Sequence, residues 1–325
     1  MSNTIACLDD HIGILDVSGY TTTNSGLYIN DLPGISTAQL NKIKDSVEDY
    51  EDVGNAWEQI RLRAQRRMEA DIRIHMKKYF RNIAVVDNGI TGQFDTNTNE
   101  TAENKLKGIL FDYSTSSKNL ELHLNYAQLY LTAESDFTVK IYNASTGEQL
   151  TAKSFTGNGT GIKQIDLQLV YAVHEYPQIF VAYEDTGLSV KRASSLGFDG
   201  LSPTGSFSAT IGTTPIMANL SGDTSGLVLA YQLRCSLENF ICQHIDLLTY
   251  AYWYALGTEF MLERVHSDSI NRYTMIDRNR AAELVEEFKT EYTTKLDSIL
   301  HDTVIEEDGY CFVCAREMNI RTVLP

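Results

Sequence analysis

The chain has 325 residues, 43% of them hydrophobic, which is enough to bury a sizeable core and suggests two domains or one core with an insertion. A net charge of −16 argues against binding of nucleic acid through the surface as a whole, because a predominantly acidic surface repels phosphate. The first residues show neither the basic nor the apolar segment of a signal peptide, and no apolar run approaches the roughly 20 residues of a membrane span. We therefore expect a soluble protein that is made in the cytoplasm.

The first long predicted helix begins after a turn formed by the letters LPGI at residues 32–35. Ser36 and Gln39 have the spacing of a capping box. Ile35 and Leu40 have the spacing of a hydrophobic staple. The same letters resemble the start of a helix-hairpin-helix DNA-binding motif, but Ser36 occupies the position of that motif's second glycine. We therefore favour a helix start over a DNA-binding hairpin.

A helix or helix pair is predicted from Thr37 to about Phe80, with a break near Gly54. Its second half, residues 57–81, is the only basic stretch of the chain and contains eight basic and three acidic residues. The basic residues are candidates for an interface or for a DNA-facing surface. They are Arg61, Arg63, Arg66, Arg67, Arg73, Lys77, Lys78 and Arg81. We favour pairing with the acidic segment 236–310, in the same subunit or in a neighbouring one, over contact with DNA.

The middle of the chain has the pattern of an antiparallel β-sandwich. Residues 87–108, rich in Thr, Asn and Gly, are predicted to be a linker, and short alternating segments then follow at close intervals. Residues 137–155 are predicted to form a hairpin, and GNGTG at residues 157–161 a hairpin turn. Residues 194–226 are predicted to be a loop that leads back to helical structure.

The best-patterned stretch is residues 233–300, which is predicted to form two packed helices with Asp277 as the N-cap of the second. In the first helix, one apolar face contains Leu237, Ile241, Ile245, Leu248, Tyr252 and Leu256. In the second, it contains Ala281, Leu284, Val285, Phe288, Tyr292, Leu296 and Ile299. The fold class predicted is therefore α+β, with an α-helical core from residues 1–100 and 219–325 and an antiparallel β-sandwich inserted at residues 101–218.

No catalytic site is predicted, and we expect no cofactor. The seven histidines are dispersed, and the chain contains no nucleophile elbow, phosphate-binding loop or zinc-protease motif. Five scattered cysteines do not suggest a disulfide framework, and we expect small buried side chains in a reducing cytoplasm. A structural zinc site at Cys311 and Cys314 is the alternative, but its second pair, Cys235 and Cys242, would lie two turns apart within one helix.

Five segments form a distinctive set: Cys7 with IGI at residues 12–14, SGLYINDLPGIS at 25–36, CSLENFIC at 235–242, LGTEFMLERVHSDSINRYT at 256–274 and CFVC at 311–314. Together they resemble the structural proteins of crAss-like and related tailed bacteriophages, whose virions carry stacked rings between the portal and the tail. The segments cover the two helical ends of the chain, whereas the middle β module carries no matching motif.

The resemblance implies a virion protein without enzymatic activity, located at the head–tail interface as a connector or neck ring subunit. Such rings are homo-oligomeric, commonly twelvefold, and surround a DNA channel. The partners implied are copies of the same chain, the portal, the adjacent neck or tail ring proteins, and genome DNA that passes without sequence recognition. The alternative function is a carbohydrate- or receptor-binding virion protein that acts through its β-sandwich.

Overall fold

The computed structural model contains two compact units, one largely helical and one built of β-sheets. The helical unit comprises Met1–Phe80, Phe240–Glu306 and Ala315–Pro325, and the β unit comprises Arg81–Asn239 and Glu307–Cys314. The predicted α+β class, with a β-sandwich between two helical parts of the chain, is confirmed. The structure describes residues 5–46, 50–77, 80, 85–114, 119–157, 159–195, 204–212, 214–219, 221–222, 225–266, 274–302 and 311.

The described helices are unequal in length, and the three longest belong to the helical unit. They are α1 (Ala6–Asp9), α2 (Thr37–Ser46), α3 (Val53–Met76), α4 (Leu237–Gln243), α5 (Ile245–His266) and α6 (Thr274–Asp302). A short parallel pair, β1 (Ile12–Gly13) and β2 (Leu27–Tyr28), precedes the 3-10 helix Ile29–Asp31.

Local capping explains where α2 and α3 begin. The backbone N–H of Gln39 donates to the hydroxyl of Ser36 at 3.4 Å, so the predicted helix start is confirmed. The carboxylate of Asp52 accepts a hydrogen bond of 2.7 Å from the backbone N–H of Asn55 and caps α3. The helical structure is therefore interrupted between α2 and α3, and α3 begins one residue before Gly54, close to the predicted break.

Helix α5 packs against both α3 and α6, and apolar faces with helical spacing form this core. On α6 the predicted face is confirmed, because all of its members except the half-buried Ile299 are buried. Gly257 permits a close approach in α5, since a Cβ atom there would lie 2.6 Å from Cδ1 of Leu32 and 3.0 Å from Cδ2 of Phe288.

Two details of the C-terminal helices differ from the prediction. The first helix is divided into α4 and α5 at His244, so its predicted face spans two helices. The second helix begins at Thr274, which places Asp277 inside it and excludes this residue as the N-cap. Both errors have one cause: apolar spacing continues across a short break and does not mark the first residue of a helix.

The described strands of the β unit form two larger antiparallel sheets and one strand pair. One sheet has the order β13-β12-β5-β10-β7-β8, the other has the order β3-β14-β6-β9, and the pair is β11-β4. The first six strands of the β unit are β3 (Val85–Ile90), β4 (Gly92–Asn99), β5 (Lys105–Asp112), β6 (Leu120–Leu131), β7 (Phe137–Asn143) and β8 (Gln149–Phe155). The later ones are β9 (Gly161–Ala172), β10 (Gln178–Glu184), β11 (Lys191–Ser195), β12 (Thr204–Thr210), β13 (Ser221–Gly222) and β14 (Leu227–Cys235).

The two larger sheets face each other as a sandwich. The rings of Phe111 on β5 and Tyr231 on β14 meet edge to face, with centroids 5.3 Å apart. Lys153 on β8 donates to the backbone carbonyl oxygens of Asp166, at 3.2 Å, and of Leu167, both on β9. The middle strands β5 and β10 are buried along nearly their whole length, as expected for strands covered on both faces.

The strand assignment corrects three predictions. The polar segment 87–108 is not a linker, because it contains most of β3, all of β4 and the start of β5. The predicted loop 194–226 contains β12 and β13. The β module extends beyond residues 101–218 at both ends, because β3 and β4 precede residue 101 and β13 and β14 follow residue 218. The turn at 157–161 joins β8 and β9, which lie in different sheets, and is therefore not a hairpin turn. The hairpin at residues 137–155 is confirmed by the pairing of Phe137 with Phe155.

Candidate functional site

The basic residues of α3 divide into an internal and an exposed group. Arg61 is buried, with its guanidinium 2.6 Å from Glu58 and 3.6 Å from Asp9. It cannot face DNA or a partner, so its prediction as an interface residue is wrong. The reason is its position on the side of α3 that packs into the core, between the buried residues Ile60 and Ala64.

Two further arginines of α3 bind glutamates of α5. Arg63 lies 2.6 Å from Glu263, and Arg67 lies 2.9 Å from Glu259. Tyr50 also joins the first pair, because its hydroxyl donates to Glu263 at 3.0 Å. These contacts confirm that the basic helix pairs with the acidic C-terminal segment within one chain.

Helix α6 reaches the same network through Tyr292. Its hydroxyl donates to Asp71 of α3 at 2.7 Å, and the Arg67 guanidinium lies 5.7 Å from the ring centroid. Burial, and then the hydrogen bond to the Asp71 carboxylate, raise the pKa of the Tyr292 hydroxyl well above its usual value of 10.0. Three helices are therefore held by polar contacts as well as by apolar packing.

The exposed group forms what we call the α3 outer face, defined by Arg66, Ala70, Arg73, Ile74 and Lys77. Steps of three and four place these residues on one side of the helix, and all five are exposed. Arg73 makes an i,i+4 ion pair with the neighbouring Glu69. Ile74 has an exposed fraction of 69%, the highest among the exposed large hydrophobic side chains of the described residues. The face is therefore cationic with an apolar centre; Lys78 and Arg81 lie outside the described residues.

A second surface of the helical unit was not predicted. We call it the α5 aromatic strip, defined by Leu247, Tyr250 and Tyr254, which follow one another at helical spacing. Leu247 and Tyr250 have exposed fractions of 55% and 53%. Burial, followed by the nearby carboxylates of Glu291 and Glu287 on α6, raises the pKa of the Tyr254 hydroxyl. The strip is therefore apolar with an acidic border.

The sequence contains a signal for this strip. The residues lie between the buried Leu248, Tyr252 and Leu256 of the predicted core face, so α5 has apolar residues on more than one side. Such a helix carries more apolar surface than one core contact needs. Packing against α3 and α6 uses part of this surface, and Leu247 and Tyr250 remain exposed.

The cysteines form two disulfide bonds, which corrects the prediction of free thiols. Cys7 is bonded to Cys242 within the helical unit, and Cys235 is bonded to Cys311 within the β unit. Sequence separations of 235 and 76 residues explain why spacing did not reveal these pairs. The zinc alternative loses three of its four ligands to these bonds, and Cys314 lies outside the described residues.

The β unit contains a half-open cleft of about 370 Å³ beside β7, β8 and the end of β10. It combines carboxylates, an ammonium group, hydroxyls and aromatic rings. The lining residues are Asp136, Phe137, Thr138, Lys140, Ser154, Phe155, Thr156, Glu184, Thr186 and Leu188.

Two other kinds of site are absent from the described part of the chain. There, no group of three or more His, Cys, Asp or Glu side chains is arranged to hold a metal ion. No described helix has the length and apolar character that crossing a membrane requires. Comparison with protein-family models, with curated proteins and with solved structures finds no match.

Proposed function

We propose that this chain is a structural subunit of a homo-oligomeric ring of the head–tail connector type found in tailed bacteriophages. In this proposal the helical unit forms the ring contacts and performs no catalysis. The partners are copies of the same chain, the portal and neighbouring neck or tail ring proteins, with genome DNA passing through the lumen.

The observation that supports the proposal best is the presence of two complementary surfaces on one helical unit. The α3 outer face is cationic around the exposed Ile74, and the α5 aromatic strip is bordered by Glu287 and Glu291. Both surfaces are exposed in the single chain, so neither covers the other. Each has the apolar centre and polar border typical of a protein interface.

Two different but complementary surfaces favour a head-to-tail contact. In such a contact the α3 outer face of one subunit covers the α5 aromatic strip of the next, and every subunit uses both surfaces. Head-to-tail contacts close into rings when the rotation between subunits is an integral fraction of a full turn. Opposite charges at the borders fix the relative position of the two subunits and raise their association rate. Burial of Ile74 and Tyr250 provides most of the binding free energy.

The strongly acidic balance of the whole chain agrees with a DNA channel. In this proposal the net charge of −16 allows an acidic channel wall, which would repel phosphate and let DNA pass without binding. The segments that resemble phage connector proteins, including residues 25–36 and 256–274, belong mainly to the helical unit, where the ring contacts are proposed.

The proposal is tested by light scattering and negative-stain microscopy of the full chain, alone and with its portal. We expect closed rings, and we expect Tyr250→Glu to leave mainly monomers because it places a charge in the apolar centre of the contact. Ile162→Ser, which alters an exposed residue of the β unit, is the matched control and should assemble like the wild type. A wild-type chain that stays monomeric at all concentrations and with the portal present would contradict the proposal.

A further inference from the structure

We infer that the side chains of Lys107 and Asp185 become joined by an intramolecular amide bond, which the chain forms by itself with Glu100 as the proton carrier. The three residues lie wholly within the β unit. The bond is therefore independent of the proposed ring contacts, which belong to the helical unit. In the structure the three groups stand as an ion cluster, which is the state from which the bond forms.

The strand register brings the amine and the carboxyl group together. Lys107 on β5 is directly opposite Tyr183 on β10. Asp185 follows the end of β10, and its backbone N–H donates to the carbonyl oxygen of Lys105 at 3.0 Å. Because residues two apart on a strand point to the same face, Lys107 and Asp185 are diagonal neighbours on one face of the sheet. Nζ of Lys107 lies 3.7 Å from Oδ2 of Asp185.

All three side chains are shielded from water. Their exposed fractions are 1% for Lys107, 5% for Glu100 and 2% for Asp185. One ammonium and two carboxylates in such a place carry a large desolvation cost. An amide bond removes two of these three charges and leaves a neutral group in their place. The exclusion of water also disfavours hydrolysis of the bond once it has formed.

The amine has a base beside it. The ammonium of Lys107 donates to the carboxylate of Glu100 at 2.9 Å and to the backbone carbonyl oxygen of Thr101 at 2.6 Å. Glu100 can accept a proton from the ammonium and leave a neutral amine, which is the nucleophile. The Thr101 carbonyl oxygen keeps the amine in place, and it can accept from the N–H of the amide product as well.

The carboxyl group of Asp185 is held by two backbone donors. The N–H of Glu103 lies 2.8 Å from Oδ2, and the N–H of Lys105 lies 2.7 Å from Oδ1. Donors fixed at these oxygens stabilise the negative charge that develops when an amine attacks Cγ. The carboxyl group is therefore both oriented and activated by the main chain.

The reaction is a condensation in which Glu100 carries two protons in turn from Nζ of Lys107 to Oδ2 of Asp185. The first transfer neutralises the amine and the carboxyl group, and Nζ then attacks Cγ. The second transfer lets Oδ2 leave as water, so the Nζ–Cγ bond forms and the Cγ–Oδ2 bond breaks. One ammonium and one carboxylate give one amide and one water molecule, and Glu100 regains its charge. No oxidant, reductant or cofactor takes part.

Mass spectrometry of the full chain, reduced and denatured, tests the bond. We expect the wild type to weigh one water molecule less than its sequence, and protease digestion to release a branched peptide that joins Lys107 to Asp185. Lys107→Arg replaces the amine by a guanidinium, which stays protonated and is not a nucleophile. Glu100→Gln cannot carry a proton. Both variants should therefore have the full mass of their sequences.

Lys140→Arg is the matched control. Lys140 forms an ion pair with Glu184 on the same sheet, but both side chains are partly exposed, at 25% and 39%. This pair should not condense, so the variant should keep the loss of one water molecule. A folded wild type with its full sequence mass, or a water loss that persists in Lys107→Arg, would overturn the inference. The wild-type mass decides even where a variant fails to fold, and ring assembly is measured separately by particle mass.

Discussion

Arg67 extends from α3 to α5, where its guanidinium lies 2.9 Å from the carboxylate of Glu259. Both side chains are mostly shielded from water, with exposed fractions of 26% and 12%. The same guanidinium lies over the ring of Tyr292 on α6. One residue therefore joins three helices that come from opposite ends of the chain.

The Arg67–Glu259 pair should contribute measurably to stability. Arg67→Met leaves the Glu259 carboxylate without its ion-pair partner in a poorly hydrated position, and should lower the free energy of unfolding by about 1–3 kcal/mol. The neighbouring Arg66→Met is the control; Arg66 is exposed and has no ion-pair partner among the described residues, so its effect should stay within about 0.5 kcal/mol. Urea denaturation in dilute solution measures both. A double-mutant cycle with Glu259→Gln that gives no coupling would refute this role.

The β unit contains a buried ion cluster that should be more sensitive still. Lys107, 1% exposed, donates to Glu100 at 2.9 Å and lies 3.7 Å from the buried Asp185, which accepts from the backbone N–H of Lys105 at 2.7 Å. Lys107→Ala leaves two buried carboxylates without their cation and should destabilise the protein by about 3–5 kcal/mol.

The control for that cluster is two residues away on the same strand. Lys105 pairs with Glu103 at the surface, with exposed fractions of 38% and 39%, so Lys105→Ala should cost less than about 1 kcal/mol. Thermal and chemical unfolding followed by circular dichroism compares the two variants. Equal losses of unfolding free energy in the two variants would show that burial does not increase the contribution of the Lys107 contacts to stability.

His11 should make the helical unit sensitive to acid. Its Nε2 lies 2.7 Å from the hydroxyl of Thr249, and burial lowers its pKa below 6.5 although Asp246 opposes this. The unfolded chain then takes up a proton at higher pH than the folded chain, so stability is lost as the pH falls below about 6.5. His11→Gln should reduce the loss of stability between pH 7.5 and pH 5. An unchanged pH profile in His11→Gln would exclude this mechanism.

The disulfide bonds can be counted directly. Two bonds occupy four of the five cysteines, so an unfolded but unreduced chain should react with one equivalent of alkylating reagent, and a reduced chain with five. Reduction should destabilise the protein by about 4 kcal/mol per bond, because both bonds close long loops. Mass spectrometry gives the count, and five labels without reduction would mean that the bonds do not form.

The elements that periodicity predicted well are those with one clear apolar face. Helix α6 repeats apolar residues from Ala281 to Leu296 at helical spacing, and β7, the first strand of the confirmed hairpin, alternates buried and half-buried residues over its seven positions. In both, a single buried face determines the sequence pattern. The ion pairs between α3 and α5 were also anticipated, since opposite charge in two helical segments is visible without coordinates.

The features that were missed depend on neighbours distant in sequence. Strand β3 is largely exposed and pairs only with β14 among the described strands, so its polar sequence lacks alternation and resembles a linker. The disulfide partners of Cys7 and Cys235 are determined by the fold and not by local spacing. The α5 aromatic strip was missed because apolar residues on an exposed side look the same in sequence as those on a buried side.

The ring proposal is tested most directly by exchanging charges between the two proposed contact surfaces. One variant carries Arg66→Glu and Lys77→Glu on the α3 outer face, and the other carries Glu287→Lys and Glu291→Lys beside the α5 aromatic strip. Each variant alone should fail to form rings, because like charges then meet at every contact. An equimolar mixture should restore them, since each altered surface then meets an opposite charge on the other variant.

Light scattering of the wild type, the two variants and their mixture is the decisive measurement. The proposal predicts ring-sized particles for the wild type and for the mixture, and monomers for each variant alone. Monomers in all four samples, or rings formed equally well by each variant alone, would contradict a head-to-tail ring built from these two surfaces.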